Sequence, residues 1–219
     1  MFSMPKIDFY FSPGACSLAT HIALEEAGVS FTPKVTSTRK GQTRSPEYLA
    51  VNPKGKVPAL AIDGKVLTEN VAILSWLAKT YPQARLLPAG DPLKEAEALS
   101  FLAWCASGVH PVLSRFFGPQ RFCDLPDSAD NIKKLATEQN AANFALIEKA
   151  LEGKEWLFGD WSVADGYIFV FFNWAKKLGL DVSAYPNYAK HFERMQQRPA
   201  VQRALAREQA AQAELDKAA

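Results

Sequence analysis

The chain has 219 residues, of which 48% are hydrophobic and 22% charged, with a formal net charge of +2. That composition argues against general disorder, and the length suffices for one large core or two small ones without metal or disulfide staples. A near-neutral balance with no Lys/Arg-rich block argues against a nucleic-acid surface. Cys16, Cys105 and Cys123 are too few and too scattered for a secreted disulfide framework, and they show no metal-type spacing, so a reducing compartment is expected. The opening Met1-Phe2-Ser3-Met4-Pro5-Lys6 lacks the apolar core of a signal peptide. The most apolar stretch, Gly166 to Trp174, is too short to cross a bilayer, so the expected location is the cytoplasm, away from membranes.

Ile7 to Phe11 reads as a strand stopped by the turn Ser12-Pro13-Gly14. Cys16-Ser17 then opens a helix with Leu18, Ile22 and Leu24 on its apolar stripe and Gly28 beyond its C-terminus. Phe31 to Thr36 reads as a second strand, parallel to the first. Thr36 to Pro46, with Arg39, Lys40 and Arg44, reads as an exposed loop, and Tyr48 to Ala50 as a helical turn. Val57-Pro58 leads into Ala59 to Ile62, then Asp63-Gly64, then Val66-Leu67: an antiparallel hairpin. A helix follows over about 70–81, with Val71, Leu74, Leu77 and Ala78 on one face.

Pro82 to Pro92, with its prolines and a glycine, is the expected domain boundary. Beyond it only helices are expected: Leu93 to Phe117, Asn131 to Leu151, Val163 to Lys177, Tyr188 to Arg194, and a fraying Ala/Glu/Gln/Arg-rich helix from Val201 to the end. The division read from pattern is an α+β domain over 1–85, a linker over 86–92 and an all-helical domain over 93–219. Ser162-Val163-Ala164-Asp165 is a capping box, which serves folding and not catalysis.

Three blocks in order carry a resemblance. Ser12-Pro13-Gly14-Ala15-Cys16-Ser17-Leu18, then Val51-Asn52-Pro53-Lys54-Gly55-Lys56-Val57-Pro58-Ala59-Leu60, then Leu67-Thr68-Glu69-Asn70, resemble the glutathione-binding half of bacterial beta-class glutathione transferases. His110-Pro111 and Ser162 to Asp165 resemble that family's helical half. The resemblance spans nearly the whole chain. It implies a thioredoxin-like domain followed by a helical one, glutathione as co-substrate with no metal, a small hydrophobic electrophile as second substrate, and a homodimer.

Cys16 sits where a strand gives way to a helix, and free amides and the dipole at that end favour a thiolate, with a drop of about two units from ~8.5. The plainer reading is a small side chain filling a gap. Ala19 occupies the resolving position of a Cys-x-x-Cys motif, which disfavours dithiol chemistry. Val57-Pro58 resembles the family's cis-proline step, whose amide and carbonyl pair with the cysteinyl backbone of an extended tripeptide; an ordinary trans proline is the alternative. Glu69 can pair with the γ-glutamyl ammonium while helix amides and the Asn70 side chain hold the carboxylate, or it is only a dipole-favoured acid at a helix start. Family members usually carry Ser or Gly where this chain has Asn70.

By resemblance, Ala15, Ser17 and Lys56 join this glutathione site, Lys40 or Arg39 meets the glycyl carboxylate, and Trp104 and Ser107 lie in the matching stretch of the helix carrying His110. His110 is implied to donate a hydrogen bond to the glutathione thiolate. Ala103 replaces the family's asparagine seven residues before that histidine. Trp104 and Phe117 are candidates for the electrophile pocket, although aromatic stripes at helical spacing are more often core. His21 reads as structural, and His191 receives no role. The expected reaction is conjugation of glutathione's thiol to an apolar electrophile. One rival is a thiol transferase or reductive dehalogenase working through a Cys16 mixed disulfide, and another is a glutathione-binding scaffold without turnover.

Overall fold

The computed structural model describes residues 5–217. Met1 to Met4, read above as lacking a signal-peptide core, and residues 218–219 of the expected last helix lie outside the described residues. In chain order the elements are β1 Ile7–Phe11, α1 Ser17–Glu26, β2 Thr32–Val35, α2 Pro46–Val51, β3 Ala59–Ile62, β4 Lys65–Thr68 and α3 Asn70–Thr80. They continue as α4 Pro92–Trp104, a π-helical turn Cys105–Val109, α5 His110–Phe117, α6 Ser128–Ala150, α7 Val163–Lys177, α8 Pro186–Gln196 and α9 Pro199–Lys217. Two compact units result: residues up to Leu87 together with those from Gln197 on, and Pro88–Gln196.

The first unit holds a four-stranded mixed sheet in the order β2-β1-β3-β4. β1 runs parallel to β2, with Asp8 opposite Thr32, and antiparallel to β3, with Tyr10 opposite Ala59. β3 and β4 form the expected hairpin, and both turn residues, Asp63 and Gly64, have positive φ. Period-two alternation buries Ile7, Phe9 and Phe11 from β1. Leu18, Ile22 and Leu24 of α1, Leu60 of β3 and Ile73, Leu74 and Leu77 of α3 are buried in the same unit. The β-α-β, β-β-α order gives the open mixed sheet with helices expected from pattern, and it is the thioredoxin-like arrangement the resemblance implies.

α9 departs from expectation. Its composition reads as a frayed, polar end of the helical domain, yet it packs on α1 within the first unit. Ala200, Val201 and Ala204 form a small-residue stripe that is buried, and Arg203 and Arg207 bond the Glu25 carboxylate at 2.7 and 3.0 Å. Arg198 holds Glu26 through two nitrogens, at 2.6 and 3.0 Å. Alanines carry little apolar weight among Glu, Gln and Arg, so the composition of this helix does not mark its docking face.

The second unit is helical. α7 is buried along most of its length, and its N-terminus is tied down by Asp165. That carboxylate accepts from the Ser162 amide and hydroxyl at 2.8 and 3.0 Å and from the Leu157 amide at 3.0 Å, and it meets His191 Nε2 at 3.0 Å. The helix expected over 93–117 is broken into α4 and α5 by the π turn. Pro111 has no N–H for the carbonyl four residues back and its ring crowds that turn, so the chain widens there. Among the described residues no helix is long and apolar enough to cross a membrane.

Candidate functional site

Cys16 is the residue before α1, in helical conformation with φ −62° and ψ −16°. Its thiol donates to the Val57 carbonyl at 3.4 Å. The expected thiolate is corrected here. Burial raises the Cys16 pKa to about 12 and outweighs the lowering by its own backbone amide and by Lys56, while the Glu208 and Glu69 carboxylates push it further up. The helix-terminus effect is real but smaller than the loss of water around the sulfur. Ser17, assigned to glutathione by resemblance, is fully buried and closes the β1–α1 turn instead: its hydroxyl accepts the Ser12 amide at 3.2 Å and reaches the Ser12 carbonyl at 3.3 Å. Ala15 sits half-buried in that turn, its amide bonded to the Ser12 carbonyl at 3.0 Å.

The Val57-Pro58 bond is cis, as the resemblance implies. Two buried side chains hold the backbone just before it. Tyr48 Oη and Asn52 Nδ2 both donate to the Lys56 carbonyl, at 2.6 and 2.7 Å. The Lys56 side chain is exposed. Val57 itself is buried, with its carbonyl facing Cys16.

Glu69 precedes α3 with φ 73° and ψ 124°, a backbone conformation unusual for a side chain of its size and of the kind that clusters at working sites. Its exposed carboxylate pairs with Lys54 Nζ at 2.7 Å, and that lysine also reaches Thr68 Oγ1 at 3.1 Å. Asn70 is used differently from its assignment. Its Nδ2 donates to the Cys16 carbonyl at 3.0 Å and its Oδ1 accepts from Thr20 at 2.8 Å, so the side chain fastens α3 to α1. Lys40 donates to the Leu215 carbonyl of α9. Arg39 is exposed.

In the second unit His110 opens α5. Its Nδ1 lies 3.5 Å from Tyr167 Oη, and its ring meets Trp174 and Phe171 at centroid distances of 5.2 and 6.2 Å. Phe117, 49% exposed, stands edge-on to Trp174 at 5.3 Å. Trp104 is half-buried against Phe101 and lies over Gly108, while Ser107 is exposed on the π turn. His110, Phe117 and Trp174 thus share one aromatic cluster, and Trp104 belongs to another.

Two family models match this chain: "Glutathione S-transferase, N-terminal domain" over residues 13–80, and "Glutathione S-transferase, C-terminal domain" over residues 106–199. The chain is 34% identical to glutathione S-transferase GstA of Escherichia coli O157:H7 over 91% of its own length and 97% of that protein. The chain belongs to the glutathione S-transferase family. The bacterial beta-class glutathione S-transferase of Sphingomonas chungbukensis is 38% identical, with a TM-score of 0.82 over 92% of this chain and 98% of that one. A sphingomonad glutathione S-transferase complexed with glutathione is 37% identical, with a TM-score of 0.81 over the same shares.

Within this transferase fold, sequence reasoning passed over Lys54, Tyr48, Asn52 and Glu208. Asn52 and Lys54 lie in the block that carried the resemblance, so a close look at its polar positions finds them. Tyr48 stands three residues before that block, and nothing local marks it. Glu208 had no signal at all, since it lies 192 positions after Cys16 in a helix of unremarkable composition.

Proposed function

We propose that this chain conjugates the thiol of glutathione to small hydrophobic electrophiles. The observation that carries the reading is the juxtaposition in the first unit of the Val57 carbonyl, the Cys16 thiol and the start of α3. Glutathione would lie extended against the Val57 edge, its cysteinyl amide taking over the carbonyl that Cys16 now occupies. Its γ-glutamyl end would meet the α3 amides and Glu69, with the ammonium replacing the Lys54 cation. Released from Val57, the Cys16 thiol donates to the glutathione sulfur and favours its ionised form. For His110, Phe117 and Trp104 of the second unit the proposal keeps only the roles the resemblance implies, a hydrogen-bond donor and apolar contacts. The attack forms a carbon–sulfur bond as the leaving group departs with its electron pair, or as an epoxide opens.

The hydrogen bond from the Cys16 thiol to the Val57 carbonyl, together with burial that pushes the thiol up, favours a protonated donor over the thiolate that mixed-disulfide exchange needs. A homodimer in the cytoplasm completes the proposal; light scattering on the purified protein checks the subunit number.

The test is a glutathione-dependent assay over aryl halides, epoxides and mixed disulfides. Cys16→Ala is expected to retain conjugation at a reduced rate, and Glu69→Gln to raise the KM for glutathione about tenfold through loss of a charge-assisted contact. Disulfide reduction that vanishes in Cys16→Ala, with no conjugation in the wild type, would transfer the assignment to the redox reading. Binding of glutathione without turnover of any electrophile makes the chain a scaffold.

A further inference from the structure

Glu208 is a carboxylate in the wrong kind of place for a solvated helix. It is 5% exposed, and it reaches from α9 to the turn that carries Cys16. Its Oε2 accepts the Gly14 amide at 2.8 Å, two residues before Cys16, and its Oε1 lies 3.4 Å from His21 Nδ1. His21 has no exposure and is ringed by the edges of Phe9, Phe11 and Phe31 at 5.3, 5.2 and 5.5 Å. Gly14 has φ 75°, so the turn depends on a backbone conformation that side-chain-bearing residues seldom take. A carboxylate withdrawn from water is retained only where donors compensate it.

The other carboxylates of α1 are already engaged elsewhere. On α1, Glu25 is taken by Arg203 and Arg207, and Glu26 by Arg198. Near Cys16 stand Lys56, Glu69 and Glu208, and of these only Glu208 comes from α9.

We propose that Glu208 is a positioning residue for Cys16: bridging the Gly14 amide and the His21 ring, its carboxylate anchors the β1–α1 turn and aims the thiol at the Val57 carbonyl. The C-terminal helix is then part of the working site at a distance. Its negative charge also opposes ionisation of the thiol, which keeps Cys16 a hydrogen-bond donor. The inference rests on Cys16 belonging to the site, but its readout needs no turnover, so a chain that conjugates nothing would still answer it.

The experiment measures iodoacetamide alkylation of Cys16 by mass spectrometry against pH in the folded wild type, Glu208→Gln, Glu208→Ala and Arg203→Ala. Glu208→Gln keeps the shape and an acceptor while losing the charge, and it is expected to lower the alkylation midpoint. Glu208→Ala is expected to raise the Cys16 rate at pH 8 about tenfold and to speed amide exchange at the turn, since the thiol gains water and loses a repelling charge. Arg203→Ala weakens α9 docking at Glu25 without touching the turn, so it lowers Tm and leaves the Cys16 rate within about twofold of wild type. An unchanged rate in Glu208→Ala, or an equal acceleration in Arg203→Ala, overturns the proposal. Should Glu208→Ala fail to fold, an unchanged midpoint in Glu208→Gln overturns it alone.

Discussion

At the residue scale, the three cysteines are separated by their surroundings and not by their chemistry. Cys16 and the fully buried Cys105 are both pushed up by desolvation, whereas backbone and side-chain hydrogen bonds at Leu125 and Ser128 hold Cys123 below the usual thiol value. The expected order of alkylation in the native protein at pH 8 is therefore Cys123 first, Cys16 far behind, and Cys105 only on unfolding; peptide mapping over time checks it. Linkage adds a stability prediction. The Cys16 thiol ionises near 9.0 when solvated and near 12 when folded, so above pH 9 the unfolded chain loses the proton first. Its stabilising effect is present below pH 9 and is lost as pH rises toward 12. Urea midpoints at pH 8 and pH 10.5 are expected to fall further in wild type than in Cys16→Ala.

At the scale of elements, the π turn and the α7 start each offer a distinct test. A Cβ at Gly108 would lie 2.8 and 2.9 Å from the Trp104 indole, so Gly108→Ala must displace that ring. A cost of about 1–3 kcal/mol is expected, with a change in Trp fluorescence that a propensity effect alone would not produce. Asp165 satisfies four donors from a position with no exposure. Asp165→Ala strands the Ser162 and Leu157 amides and His191, and about 3–5 kcal/mol of stability should disappear. Calorimetry is expected to show Tm lower by about 10 °C for a chain of this length. The capping box was legible because its partners lie three residues apart. His191, brought in from α8, was not.

At the scale of the molecule, the last helix changes how the chain is divided. Removing residues 197–219 exposes α1 and strips Glu25 and Glu26 of their arginine partners. The truncated chain is expected to lose its sheet unit first, seen as faster amide exchange in β1 and α1 than in α7, which is buried within the other unit. Deletions confined to the helical unit's surface loop at 118–127 are expected to spare that exchange pattern.

Strand alternation, turn dipeptides and helical stripes act over a few neighbours, so β1 to α3 and the helical run after Pro92 followed from the amino-acid order alone, and the ordered blocks around Cys16, Val57 and Glu69 pointed to the family. What required the tertiary structure was every property set by partners far along the chain: the protonation of Cys16, the use of Asn70 as a fastener, the Lys54–Glu69 pair, and the reach of Glu208 to Gly14. Local order sets which backbone conformations are cheap, but desolvation and charge depend on what else arrives in the same small volume. For the Cys16 thiol, the arriving groups outweighed the helix that carries it.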